Sequence, residues 1–327
     1  MTMKEIFIIN DQFTSEFSFG SICLIFAIVS FGVIANIINL IIFVKLGFKD
    51  TVNISLVALT ICDLCSLLPL ISLGVLTQPR LLSPDVTFMG GEIQFLASGW
   101  PHTILSKLTS WITAFIMVER CLCIAKPLKV KTLVTPFRVK FCLVLLSVIV
   151  VSGALPTYAT HYFDWKFYPM LNRTLLGLVL TDNALEVTRV SNVLSNSVSA
   201  LLSFTITASC TLAIVAQLNR KSKWRQSVAA SSKRETFPSS SKDNKAAKLV
   251  ITLSAVFLIS VLPSIIVVIG SAIDDNFGVF GLYRNLFNIC YCVTFIMEAM
   301  NSSVNIIVYY FMNSRFRETF RHLIRTV

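Results

Sequence analysis

Seven long apolar runs divide the chain, over 19–44, 53–76, 97–125, 138–158, 189–217, 246–271 and 284–311. A helix crossing about 30 Å of hydrocarbon needs about 20 such residues. The runs lack both the short alternating segments of a β-barrel and the regularly charged faces of soluble helices. They predict an all-α membrane protein, a seven-transmembrane helix bundle in a single domain without internal repeats. Residues 1–18 then form an N-terminal tail, 19–311 the bundle, and 312–327 a short segment in which Phe316, Phe320, Leu323 and Ile324 recur at helical spacing with bases between them. That period predicts a short amphipathic eighth helix on the membrane surface. No cysteine follows Phe316, so an acyl anchor there is not expected.

Away from their ends, only Asp63, Lys107 and Glu298 put a charge into the seven runs. Ionisable groups at bilayer depth are costly enough to mark function by default. Composition agrees with the membrane reading, since 55% of the 327 residues are apolar and 14% charged, with a mean hydropathy of +0.75. The net charge of +11 would suit nucleic acid, but its distribution argues otherwise. Twenty-one of the 28 Lys and Arg fall on one side of the runs and six on the other. By the positive-inside rule the N-terminus is extracellular and the tail cytoplasmic. The basic excess then reflects topology and anionic inner-leaflet lipid rather than nucleic acid. The expected location is the plasma membrane, as a multi-pass protein without a cleavable signal peptide.

The connections between the runs add less. All nine cysteines lie in or at the ends of runs, so no disulfide framework of the outer loops is expected. The longest outer loop, about 159–188, carries Asn172-Arg173-Thr174, an N-glycosylation sequon. The inner loop 219–245 is basic and serine-rich, suited to partner contact and phosphorylation or simply to a solvated loop. Three isolated histidines and no metal-ligand or nucleophile–base spacing argue against an enzyme or a metal site.

Five short motifs stand in order along the runs: Gly32-Val-Ile-Ala-Asn36; Leu59-Thr-Ile-Cys-Asp63-Leu64; Glu119-Arg120-Cys121; Phe257 with Pro263; and Asn305-Ile306-Ile307-Val308-Tyr309. With these the chain resembles a rhodopsin-like (class A) G-protein-coupled receptor over essentially its whole length. The resemblance implies a receptor that turns extracellular ligand binding into activation of a heterotrimeric G protein, with arrestin and a kinase as further partners. It implies a switch made of Glu119, Arg120, Asn305, Tyr309, Phe257 and Pro263, in which Glu119 holds Arg120 at rest and the sixth helix moves outward on activation. Around Asp63 it places Asn36, Thr109, Asn301, Ser302 and Asn305. That polar pocket either holds a hydrated sodium ion or a proton, or is a hydrogen-bonded network alone. No other cofactor is expected.

Departures from the family pattern are as informative. Phe95 stands where the family has its outer cysteine, so the outer surface lacks the usual staple and the loop 159–188 is expected to be looser. Val261 replaces the sixth-helix tryptophan and Ile306 the proline of the seventh. His102, in place of an aspartate, disfavours monoamines, and Ala299, in place of a lysine, excludes retinal. The remaining pocket candidates are His102, Thr103, Ser106, Lys107, Asn196, Tyr291 and Glu298. Lys107 and Glu298 either pair with each other, which is slightly preferred because two lone charges in hydrocarbon are costly, or grip a small polar ligand. Local segments such as Lys223-Trp-Arg-Gln and Asn301-Ser-Ser-Val-Asn305 look like gastropod mollusc chemosensory receptors. A chemosensory receptor for a small molecule or peptide is the first expectation, a neuropeptide receptor the second, and a ligand-gated channel or transporter the alternative from another class.

Overall fold

Asn10 starts the first helix by accepting a hydrogen bond from the backbone N–H of Gln12 at 2.9 Å, with Asp11 complementing the helix dipole. Helix α1 therefore spans Asp11–Leu46. Residues 11–18, assigned from sequence to the tail, belong to this helix instead. The capping Asn10 ahead of Phe13 and Phe17 was the signal that an apolar-run criterion overlooks. At its other end α1 stops because Gly47 takes a φ of 81°, a conformation suited to glycine. There Asn53 donates to the carbonyl of Phe43 at 2.9 Å and also to that of Gly47.

The computed structural model describes residues 10–76, 85–125, 130, 132–231, 240–274, 276–278 and 281–326. Helix α2 is Thr51–Leu76, and α3 is Gly90–Ala125 with a π-helical turn at Phe95–Gly99. Helix α4, Pro136–Thr160, is capped by the Thr135 hydroxyl accepting from Arg138 N–H. Helix α5 runs through Ala184–Ser191, a π-helical stretch Asn192–Val198 and Ser199–Ser231. Helices α6, α7 and α8 are Ser240–Ile273, Arg284–Met312 and Ser314–Thr326. Among the described residues seven helices are long and apolar enough to cross a membrane, and the short α8 follows them. Much of the stretch 219–245 continues α5 and α6 as helix, and its residues 232–239 lie outside those described.

Helix α1 packs against α2 and α7, α3 runs through the middle in contact with α2, α4, α5 and α6, and α6 closes on α5 and α7. Large apolar side chains such as Phe26, Phe31, Phe141, Val148, Ile266 and Phe311 point outward and are at least half exposed or nearly so. Such a ring would be a severe liability in water and is the natural face for lipid.

Between α4 and α5 the chain forms an antiparallel hairpin, β1 His161–Tyr168 and β2 Arg173–Leu180, with His161 opposite Leu180 and Tyr168 opposite Arg173. This corrects the expectation of a looser loop. Phe88 bridges to Leu176 in parallel. Glu92, in the first turn of α3, accepts from the Tyr168 hydroxyl and from the Leu178 N–H, each at 2.7 Å. The carboxylate thus ties the hairpin to α3 at the end where a disulfide is absent. Gly177 makes the approach feasible, because a Cβ there would lie 1.9 Å from the Tyr168 hydroxyl oxygen. Aromatic and β-branched residues flanking a Pro169–Asn172 turn were the strand signal in the sequence.

Candidate functional site

Helix α3 carries three polar stations along one rod: His102 and Lys107 toward the hairpin end, Thr109 at mid-depth, and Glu119 with Arg120 toward the α8 end. At about 1.5 Å per residue, the eighteen residues from His102 to Arg120 cover roughly 27 Å, close to the hydrocarbon thickness.

At mid-depth Asp63 is fully buried. Its Oδ1 accepts from Thr109 at 3.1 Å and Ser302 at 3.3 Å, and its Oδ2 from the Asn305 amide at 2.8 Å. Helices α2, α3 and α7 therefore meet on one carboxylate. Asn36 joins from α1 by donating to the Ser302 carbonyl at 2.7 Å. This contact needs Gly32, where a Cβ would stand 2.1 Å from Ser303 Oγ and 2.8 Å from Leu67 Cδ1. Asn301 is half-buried and makes none of the hydrogen bonds to Asp63. Ser66 occupies the place expected of Asn301: its hydroxyl lies 3.3 Å from that of Ser302, and its backbone carbonyl reaches His102. The i, i+3 spacing of Asp63 and Ser66 was the available signal.

Toward the hairpin end, Thr103, Ser106, Lys107, Asn196, Tyr291 and Glu298 line one cavity between α3, α5, α6 and α7. His102 lies behind that wall, 2% exposed. The pairing of Lys107 with Glu298 favoured from sequence is not formed. Glu298 Oε2 instead sits 2.9 Å from His102 Nε2, and the His102 Nδ1 is 2.8 Å from the Ser66 carbonyl oxygen. Lys107 places its ammonium 5.7 Å from the centre of the Trp100 ring. Imidazole is shorter and flatter than the lysine stem, so it is buried beside Glu298 at less cost, a preference that charge counting alone does not reveal. Val261, at the position of the missing tryptophan, lines the same cavity, and Phe257, one helical turn away on the same face, is 3% exposed.

At the α8 end, Arg120 is held by Glu119 at 2.5 Å. The other Glu119 oxygen accepts from Ser55 of α2 at 3.1 Å. Arg120 also reaches Thr51 at 3.5 Å, so the guanidinium is turned toward α2. Tyr309 is fully buried, its ring 4.9 Å from that of Phe43 and 5.6 Å from that of Phe316. This cluster binds α1, α7 and α8 together. Pro263 lies within an uninterrupted α6 and removes one of its backbone hydrogen bonds. Asn172 sits in the hairpin turn with a φ of 48°, exposed to solvent.

A seven-helix bundle with a buried acidic hub, a cavity at one end and a restrained arginine at the other defines a G-protein-coupled receptor. The family model described as Serpentine type 7TM GPCR chemoreceptor Srw matches residues 23–327. The chain belongs to that family and is a chemosensory G-protein-coupled receptor, a multi-pass membrane protein with a ligand and a G protein as partners. No curated protein matches the chain.

Proposed function

We propose that this chemoreceptor works as a rhodopsin-like switch, in the manner its gastropod-like segments and five motifs suggest, with the hairpin end outside the cell and the α8 end in the cytoplasm. A ligand in the cavity shifts α3, α6 and α7 against one another, the Asp63 hub re-pairs, and Arg120 leaves Glu119 to meet a G protein. The observation that carries this reading is that α3 alone bears the cavity wall, a ligand of the hub and the restrained arginine. Without the sixth-helix tryptophan, Val261 senses the ligand and passes its displacement to Phe257, which shares its face of α6. Arrestin and a kinase act on the basic, serine-rich stretch 219–245, and Asn172 is glycosylated.

The oxygens around Asp63 fit a sodium ion: one carboxylate with the hydroxyls of Ser66, Thr109 and Ser302, all hard donors. Such an ion would neutralise the carboxylate and favour the resting arrangement. The experiment that tests the switch is nucleotide exchange on a purified heterotrimeric G protein by membranes containing the chain. Ligand-dependent exchange is the expected result. Ligand-gated current in bilayers that contain no G protein, with no exchange, would replace the receptor by a channel.

A further inference from the structure

The cavity between α3, α5, α6 and α7 is unequal in charge. Two side chains that carry a charge at neutral pH, Lys107 and Glu298, reach its wall, and Glu298 is already engaged by His102. Both ring nitrogens of that histidine face acceptors: Nε2 the Glu298 carboxylate at 2.9 Å, and Nδ1 the Ser66 backbone carbonyl at 2.8 Å. A carbonyl has no proton to give, so Nδ1 carries one. The short Nε2–Oε2 contact holds the second proton on either partner. Imidazolium with carboxylate, or neutral imidazole with carboxylic acid, gives the same sum, so the pair is net neutral in either form. The Lys107 ammonium rests over the Trp100 ring and feels Glu298 only through space, without an ion pair to it, so it is the net positive charge left in the cavity.

The hydroxyls sort in the same direction. Thr103, Ser110, Ser203 and Thr294 donate their protons to helix carbonyls within their own helices, so they offer the cavity lone pairs. Ser106 and Ser264 line it without such a bond, and each has a proton to donate. Ser106 is the sequence neighbour of Lys107 on α3, and Ser264 is on α6, the helix whose movement the switch requires.

We propose that the cavity binds small organic carboxylates, the anionic group taken by Lys107 with help from Ser106 and Ser264. This rests on the reading of the cavity as the receptor's ligand site. An ammonium–carboxylate contact in a partly desolvated site is charge-assisted and stronger than a neutral hydrogen bond. A carboxylate also supplies the counter-ion that a half-buried ammonium lacks. Zwitterions fare worse than simple acids, because the partner for their amine is already committed to His102.

The test uses the full chain in detergent micelles with three matched sets of probes: butyrate, benzoate and 3-phenylpropanoate, each with its primary amide and its amine. The readout is the melting temperature against probe concentration, alongside basal nucleotide exchange of the same preparations. At least one acid raises the melting temperature at a concentration about tenfold lower than its amide, a difference of about 1.4 kcal/mol, and the amines do nothing. Lys107→Met abolishes the acid's effect while melting no lower than wild type without probe, and Lys107→Glu transfers the effect to the amine. 3-Phenylpropanoate acts at lower concentration than phenylalanine, and His102→Gln, which frees Glu298, narrows that gap. The inference is overturned by amides or amines matching the acids, by acid effects that survive both Lys107 variants, or by no acid acting at all. Normal basal exchange with any of those outcomes leaves the receptor standing and removes the carboxylate, whereas acid binding without exchange under any condition does the reverse.

Discussion

At the α8 end, Phe43, Leu56, Ile112, Met117, Ile214, Tyr309 and Phe316 are each at most 1% exposed and belong to one core with contributions from all eight helices. In the hairpin half, among the described residues, the buried apolar clusters are two small ones, one around Val29, Leu67 and Ala299 and one around Leu96, Trp100 and Ile104, with others such as Leu175, Val267 and Phe287 in neither, beside a cavity lined with hydroxyls. Close-packed regions resist gradual deformation and switch between discrete arrangements. An open, polar region accommodates guests. In the proposed switch, recognition and transmission are thus built from different materials within the same helices, with Asp63 at the boundary.

The largest expected effect comes from breaking the transmitting end at Arg120, the cation held by Glu119. Arg120→Ala is expected to lower G-protein nucleotide exchange by at least about a hundredfold, equivalent to roughly 2.7 kcal/mol, with surface expression retained because the guanidinium supports no part of the core. Glu119→Gln is the converse test, since it weakens the hold on Arg120 and should raise basal exchange. Undiminished signalling by Arg120→Ala would sink the assignment of the switch.

Two glycines in α1 sharpen the contrast in packing. Gly32 faces Ser303 and Leu67 at distances no Cβ tolerates, whereas a Cβ added at Gly20 would meet nothing within 4 Å. Gly32→Ala is expected to destabilise the bundle by about 1–3 kcal/mol through overpacking. Gly20→Ala should be neutral or stabilise by up to about 1 kcal/mol through helix propensity. Thermal melting of the two variants measures this directly, and equal melting temperatures would contradict the close approach of α1 to α7.

At the boundary, Asp63→Asn replaces an acceptor-only carboxylate by an amide whose NH₂ faces donors from Thr109, Ser302 or Asn305. A several-fold change in basal exchange is expected, together with loss of any dependence on sodium. Identical exchange curves for the wild-type receptor in sodium and in a large organic cation would eliminate the ion while leaving the network intact.

Much of this arrangement was legible in the sequence because bilayer length is a strong constraint: each of the seven apolar runs became a helix, most ends moving by a few residues, while α1 and α3 begin earlier, at Asp11 and Gly90, and α5 runs on to Ser231. Thr109, Ser302 and Asn305 around Asp63 were legible through the family resemblance that the five motifs carry, and the Glu119–Arg120 contact through adjacency, whereas Asn301 from the same resemblance makes no hydrogen bond to Asp63. Partner choice was not. Whether Glu298 takes Lys107 or His102 depends on side-chain reach across two helices. The hairpin's attachment to Glu92 depends on a carboxylate 76 and 86 residues away in sequence from its two donors, and its strands lay in a segment that polarity alone marks as loop.

That attachment carries the smallest expected effect. Tyr168 donates one of the two hydrogen bonds that Glu92 receives, so Tyr168→Phe should cost about 0.5–1.5 kcal/mol. Burial and the hydrogen bond to the Glu92 carboxylate both push the Tyr168 phenol above its ordinary value. A group with a raised value in the folded state contributes fully below the unfolded-state value, near 10 for tyrosine, and loses its contribution as pH climbs from there through the raised one. The melting difference between wild type and Tyr168→Phe should therefore stay constant from pH 7 to about 9 and shrink only at strongly alkaline pH. A difference that already fades across pH 7–9 would mean the hairpin is held by something other than this phenol, and that the ligand end is looser than the contact with α3 implies.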